Sequence, residues 1–135
     1  VYLVRNGQIE QLTSDHSWVN EQIQSGVISA DQARSHPLRN VVTRALGGRA
    51  DLVVDIQSRR MAAGDMLLLC SDGLSDMLDD ETIGQLLLSN DTLDEAGAAL
   101  IDAANDAGGK DNISVVLARV RGPAGPARSW WPFRR

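Results

Sequence analysis

An α+β fold built on a mostly antiparallel sheet is the class this sequence predicts, and three observations lead there. Asn6-Gly7 sits between two strand-like runs, the strongest short-range hairpin signal a sequence offers. Met66 to Cys70 is an apolar run too short for a globular helix, and Asp72 and Gly73 close it abruptly. Between that run and a last apolar stretch, Ile113 to Val120, lie two segments with helical periodicity and their own caps.

Taken in order, Val1 to Arg5 and Gln8 to Leu12 form the hairpin arms. Thr13 to His16 is polar and turn-like. Ser17 caps a short helix over Trp18 to Gln24, with Val19 and Ile23 on one face and Gly26 as its stop. Ser29 caps a second over Ala30 to Arg34, which must end before Pro37. Residues 13–40 thus form a flap-like polar insertion of small helices between strands, with the composition of a mobile flap. Val41 to Leu46 is apolar and β-branched, and Gly47-Gly48 breaks it. Asp51 to Arg59 alternates in part and reads as a strand. Ala63-Gly64-Asp65 is a turn into the central strand. Asp79-Asp80-Glu81 caps a helix over Thr82 to Ser89 that buries Ile83, Leu86 and Leu87. Thr92 with Glu95 makes a capping box for a helix to about Ala107, whose stripe is Leu93, Ala96, Leu100, Ala103 and Ala104. Ile113 to Val120 is the closing strand.

The 135 residues suffice for one domain with a real core, and a 43% hydrophobic share makes it globular. No apolar run approaches the length of a membrane span. The net charge of −5 is uneven, because residues 1–120 carry nine basic against eighteen acidic side chains and stand at −9. Such a body does not invite nucleic acid. Cys70 is the only cysteine, which excludes an internal disulfide and points to a reducing, cytoplasmic setting. Gly122 to Pro126 is a linker by composition, so residues 122–135 read as a Gly/Pro linker and a Trp/Arg-rich tail. The chain opens on strand-like Val1-Tyr2-Leu3-Val4 without a methionine, which suggests part of a longer polypeptide.

Two carboxylates stand out. Asp72 lies at the exit of one apolar strand, and Asp111, in Gly109-Lys110-Asp111-Asn112, at the entrance of another. If the two strands pair antiparallel, both aspartates reach one rim of the sheet. Like charges about 5 Å apart repel by roughly 3 kcal/mol at an effective dielectric near 20. One must then protonate or a cation must sit between them. All-oxygen ligation by aspartates suits hard divalent ions. Asp-Gly and Asp-Asn are also ordinary turn pairs, and on spacing alone that plainer reading is slightly ahead.

Leu68-Leu69-Cys70-Ser71-Asp72-Gly73-Leu74-Ser75-Asp76, followed by Gly109-Lys110-Asp111-Asn112-Ile113-Ser114-Val115, resembles the two C-terminal metal motifs of the PP2C-type (PPM) serine/threonine protein phosphatases. Leu12 to Ser17 and His36 to Gly47 look like the bacterial branch of that family. The likeness runs in order over residues 1–121, as the C-terminal half of the domain.

The resemblance implies a share of a four-layer α-β-β-α sandwich with a metal pair at one end of its sheets. It implies that Asp72 and Asp111 ligate two Mn2+ or Mg2+ ions, and that Asp76 matches the position of a third, more weakly held ion. Asp76 could equally be a helix-start carboxylate. Asn112 and Gly73 would act behind the ligands, Asn112 by orienting the carboxylate or its turn and Gly73 by backbone geometry. The activity implied is hydrolysis of phosphoserine and phosphothreonine in protein substrates of a Ser/Thr kinase, by a metal-activated water. A phosphate-binding arginine, an acidic residue and a metal-bridging Asp-Gly belong to the family's N-terminal half. Nothing in these 135 residues replaces them, so this piece alone is expected to be inactive.

Cys70 needs no nucleophilic role, and no Cys-x5-Arg loop supports a tyrosine-phosphatase reading. His16 and His36 read as turn and flap residues rather than general acids. Arg39 and Arg44 read first as partners of the acidic surface. Two other function classes stay in view: a non-catalytic interaction domain of the same fold, and a metal-free hydrolase using Asp72 and Asp111 as an acid/base pair.

Overall fold

A computed structural model describes residues 1–45, 47 and 53–122. The hairpin forms as its sequence predicts. Strands β1 (Tyr2–Arg5) and β2 (Gln8–Gln11) pair antiparallel around Asn6 and Gly7, whose φ angles of 51° and 76° are the left-handed values a tight primed turn requires. β3 (Met66–Cys70) pairs antiparallel with β1, and β4 (Val115–Arg119) with β3, giving the sheet order β2-β1-β3-β4.

Helices α1 (Trp18–Gln24) and α2 (Ala30–Arg34) lie between β2 and β3. Ser17 accepts from the Asn20 N–H to cap the first, and Ser29 with Gln32 makes a capping box on the second. The pair is tied back by Trp18 N–H to Val41 O (2.9 Å) and Thr43 N–H to His16 O (2.8 Å). After β3 come a single helical turn α3 (Asp72–Ser75), then α4 (Asp80–Ser89) and α5 (Leu93–Asp106). Asp79 caps α4 through the Thr82 N–H, and the Thr92–Glu95 capping box opens α5. The α4 helix starts two residues before the expected Thr82, because within the acidic cap Asp79-Asp80-Glu81 it is Asp79 that caps, and Asp80 and Glu81 are already helical.

Strand alternation sends Tyr2, Val4, Met66 and Leu68 to the face that α4 and α5 cover. There they join Leu74, Ile83, Leu87, Ala96, Leu100 and Ala104 in one buried cluster. The opposite face carries Leu3, Leu67, Leu69 and Val116 by register. It is only partly covered, since Leu69 is 42% and Val116 62% exposed. A cleft of about 800 Å³ opens on that side, lined among others by Val1, Leu12, Val53, Met61 and Leu67.

Two expectations need correction. Residues 53–59 are not a strand, and positions 51 and 52 lie outside the described residues. Val53, Val54 and Ile56 are exposed, and the segment is held by side chains instead of a ladder. Arg44 donates to Val53 O, Arg5 to Arg60 O, and Arg59 pairs with Glu10 at 2.8 Å. Partial alternation had the look of a strand, but no neighbouring strand offers it hydrogen bonds among the described residues. The last strand begins at Val115 rather than Ile113, because the Ser114 amide is taken by a side chain, as described below. The Gly122–Pro126 linker is described only at Gly122, and the Trp/Arg tail falls outside the described residues.

Asp65 is the one buried charged side chain among the described residues, 2% exposed. Arg5 grips it through two nitrogens at 2.9 and 2.6 Å, and the Ala62 N–H adds a third bond at 2.6 Å. These bonds hold the Asp65 carboxyl down at about 2.

Candidate metal centre

The rim forms where β3 ends and β4 begins. Cys70 is opposite Val115 in the last regular rung, and the next residues extend the seam by other means. Ser71 N–H donates to Ser114 O at 3.0 Å. The Ser71 hydroxyl accepts from Ser114 N–H at 3.0 Å and donates to Asn112 O at 3.0 Å. Asp72 and Asp111 therefore stand on either side of one sutured junction, as the antiparallel arrangement predicts.

Asp72 is the first residue of α3 and is exposed. Asp111 follows α5 through Gly108 and Gly109, which turn the chain at φ angles of 128° and 49°. Its carboxylate accepts from the next backbone amide, Asn112 N–H, at 2.7 Å. The carboxylate is thus held by the backbone of Asn112, and the Asn112 carbonyl is what Ser71 grips. Gly73 is fully buried against this loop. A Cβ there would stand 2.4 Å from Asn112 O and 3.0 Å from its carbonyl carbon, so only glycine permits the approach.

Asp76 is not a helix-start residue, which corrects one of its two readings. It caps the C-terminal end of α3, donating its N–H to Asp72 O at 2.8 Å, while Asp79 begins the following helix. Its carboxyl is pushed above the usual carboxylate value, first by desolvation and then by the negative charge of Asp72. Asp111 and Asp15 act in the same direction more weakly, and Arg39 opposes them. The rim thus carries aspartate carboxylates whose negative charges act on one another. That donor chemistry fits a hard divalent cation. It fits only as part of a site, for no three His, Cys, Asp or Glu side chains are gathered as a metal-binding group among the described residues. A cleft of about 480 Å³ opens beside Asp111, lined by Ile101, Asn105, Gly109, Lys110, Asn112 and Ile113 as well.

The charges of Asp15 and Arg39 act on Asp76, and sequence reasoning did not connect either residue with it. Asp15 reads as a turn residue, and nothing local links it to Asp76. Arg39 makes no ion pair among the described residues, unlike Arg44, which pairs with Asp55 at 3.1 Å. The histidines keep structural positions. His16 lies 2.7 Å from Asp55, and His36 stacks on Trp18 with ring centroids 4.8 Å apart while its Nδ1 accepts from Leu38 N–H. Cys70 packs against the core cluster, and burial pushes its thiol pKa up, which suits an inert side chain.

The chain is similar to proteins already known. The family described as stage II sporulation protein E (SpoIIE) matches residues 6–121. The serine/threonine phosphatase stp of Listeria monocytogenes is 42% identical over 116 residues, covering 86% of this chain and 46% of the relative. The serine/threonine phosphatase PstP/Ppp of Mycobacterium tuberculosis superposes with a TM-score of 0.83 at 40% identity, over 90% of this chain and 51% of that one. The catalytic domain of the phosphatase PstP in complex with two manganese ions gives 0.79 at 37% identity, over 90% and 49%. The chain thus spans about half the length of the curated relatives it matches.

Proposed function

The chain belongs to the SpoIIE/PP2C-type (PPM) family, and from that premise we propose that it is the C-terminal half of a metal-dependent serine/threonine protein phosphatase domain. Its sheet and helical layer are part of the family's α-β-β-α sandwich. The whole domain hydrolyses phosphoserine and phosphothreonine in proteins modified by a Ser/Thr kinase, in a cytoplasmic signalling role. The observation that carries this reading is the shared rim, where Asp72 and Asp111 flank the Ser71–Ser114 junction.

Asp72 and Asp111 are the residues that would hold the two ions, Mn2+ or Mg2+, with Asp76 serving a third, weaker position. When bound, such ions supply the acidity that makes water a nucleophile at neutral pH and the charge that offsets a phosphoryl group. The chain's own part is to present the carboxylates in fixed places. α3 delivers Asp72, and the Asn112 amide holds Asp111. The Arg39 charge favours the ionised form of Asp76, and Arg39 would meet the phosphorylated peptide. The arginine that clamps phosphate and the bridging Asp-Gly are assigned to the preceding half of the domain.

The test is hydrolysis of p-nitrophenyl phosphate by the complete domain. Activity should require Mn2+ or Mg2+ and vanish with a chelator. Asp72→Asn and Asp111→Asn should each lower kcat/KM at least about 100-fold, roughly 2.7 kcal/mol of barrier. A folded domain without turnover would mark a non-catalytic interaction module instead, and chelator-resistant activity would mark a metal-free acid/base hydrolase.

A further inference from the structure

Ser71 is not needed to make the sheet, yet its side chain makes two bonds across it. Its hydroxyl accepts from Ser114 N–H and donates to Asn112 O, spanning 43 and 41 positions of sequence. Both partners are backbone atoms of the loop that carries Asp111. The gripped Asn112 carbonyl also lies close against Gly73, where even a Cβ would stand 2.4 Å from its oxygen. Through its N–H, Asn112 in turn holds the Asp111 carboxylate at 2.7 Å. A continuous path of direct contacts therefore runs from the residue before Asp72 to the carboxylate of Asp111.

We infer that Ser71 is a positioning residue that sets the separation and orientation of Asp111 relative to Asp72, and so tunes the affinity of the rim for divalent metal. The inference rests on the metal reading proposed above. A hydroxyl suits the task because it donates and accepts at once. Alanine would free both the Ser114 amide and the Asn112 carbonyl, letting the Asp111 loop drift while β3 and β4 remain paired through Cys70 and Val115. Threonine keeps the oxygen. Groups that orient a metal ligand from behind are worth about 10–100-fold in metal affinity.

The experiment compares wild type, Ser71→Ala, Ser71→Thr and Asp111→Asn in the complete domain. Mn2+ affinity is read by calorimetric titration, thermal unfolding is followed without metal, and amide hydrogen exchange is read at Ser114. In wild type, the Ser114 amide should be strongly protected although it lies outside β4. Ser71→Ala should weaken Mn2+ binding at least about tenfold, beyond any change in metal-free melting temperature, and Ser71→Thr should restore it. Mn2+ affinity within about twofold of wild type in Ser71→Ala, with binding lost in Asp111→Asn, overturns the role of Ser71 and leaves the metal reading standing. Unchanged affinity in Asp111→Asn overturns the metal reading and this role together. If Ser71→Ala does not fold, the wild-type exchange decides, and a Ser114 amide that exchanges as freely as a loop residue overturns the inference.

Discussion

Gly73 shows how a single residue ties sequence to site. Its missing side chain lets α3 lie against the Asp111 loop, and an added methyl would sit 2.4 Å from a backbone oxygen that cannot swing away. Gly73→Ala should destabilise the complete domain by about 1–3 kcal/mol, seen in urea unfolding, and should weaken Mn2+ binding as well. Asp65 and Asp76 respond to pH in opposite senses. Arg5 and the Ala62 amide hold Asp65 at about 2, below its ordinary 3.8. Its contribution to stability is therefore complete above about 3.8 and is lost as pH falls toward 2. Asp76 is raised, so its ionised form costs stability above its folded pKa, and protonation relieves that cost. Calorimetric melting between about pH 2 and 5 should show a drop on the acid side that Asp65→Asn makes shallower. Asp76→Asn should raise the metal-free melting temperature at neutral pH and lose that advantage in acid.

At the scale of elements, what the sequence disclosed follows from how local each cause is. The Asn6-Gly7 turn, the Ser17, Ser29 and Thr92 caps and the stripe of α5 all rest on residues within four positions of each other, and all are found as expected. Thr92→Ala removes a capping box and should cost about 1 kcal/mol in urea unfolding. Leu100→Ala, on the buried stripe, should cost about 2–5 kcal/mol. The convergence of Asp72 and Asp111 was legible too, because an apolar exit and an apolar entrance can share a rim only if the strands run antiparallel. Residues 53–59 misled because β-branched alternation describes a half-buried surface, and a strand also needs a neighbour, which lies elsewhere in the chain or outside it. The Ser71 contacts and the influence of the Asp15 and Arg39 charges on Asp76 were not legible, since each depends on tertiary placement across more than thirty positions.

For the molecule as a whole, the two faces of the sheet differ sharply. One is sealed by α4 and α5 around Leu68, Ile83, Leu87 and Leu100. The other leaves Leu69 and Val116 open, in a chain that spans half of its relatives. On the proposed half-domain reading, that face is where the second sheet of the sandwich packs. The 135 residues alone should show no turnover above background with p-nitrophenyl phosphate and Mn2+, and should self-associate in sedimentation as the concentration rises. Joined to a complementary N-terminal half, the same residues should be active and monodisperse.

Crystals of the complete domain grown with manganese, measured at the manganese absorption edge, test the central claim most directly. The expected anomalous map has two adjacent peaks, with carboxylate oxygens of Asp72 and Asp111 within about 2.3 Å of them. Peaks elsewhere, or none at this rim while manganese still supports hydrolysis, would contradict it.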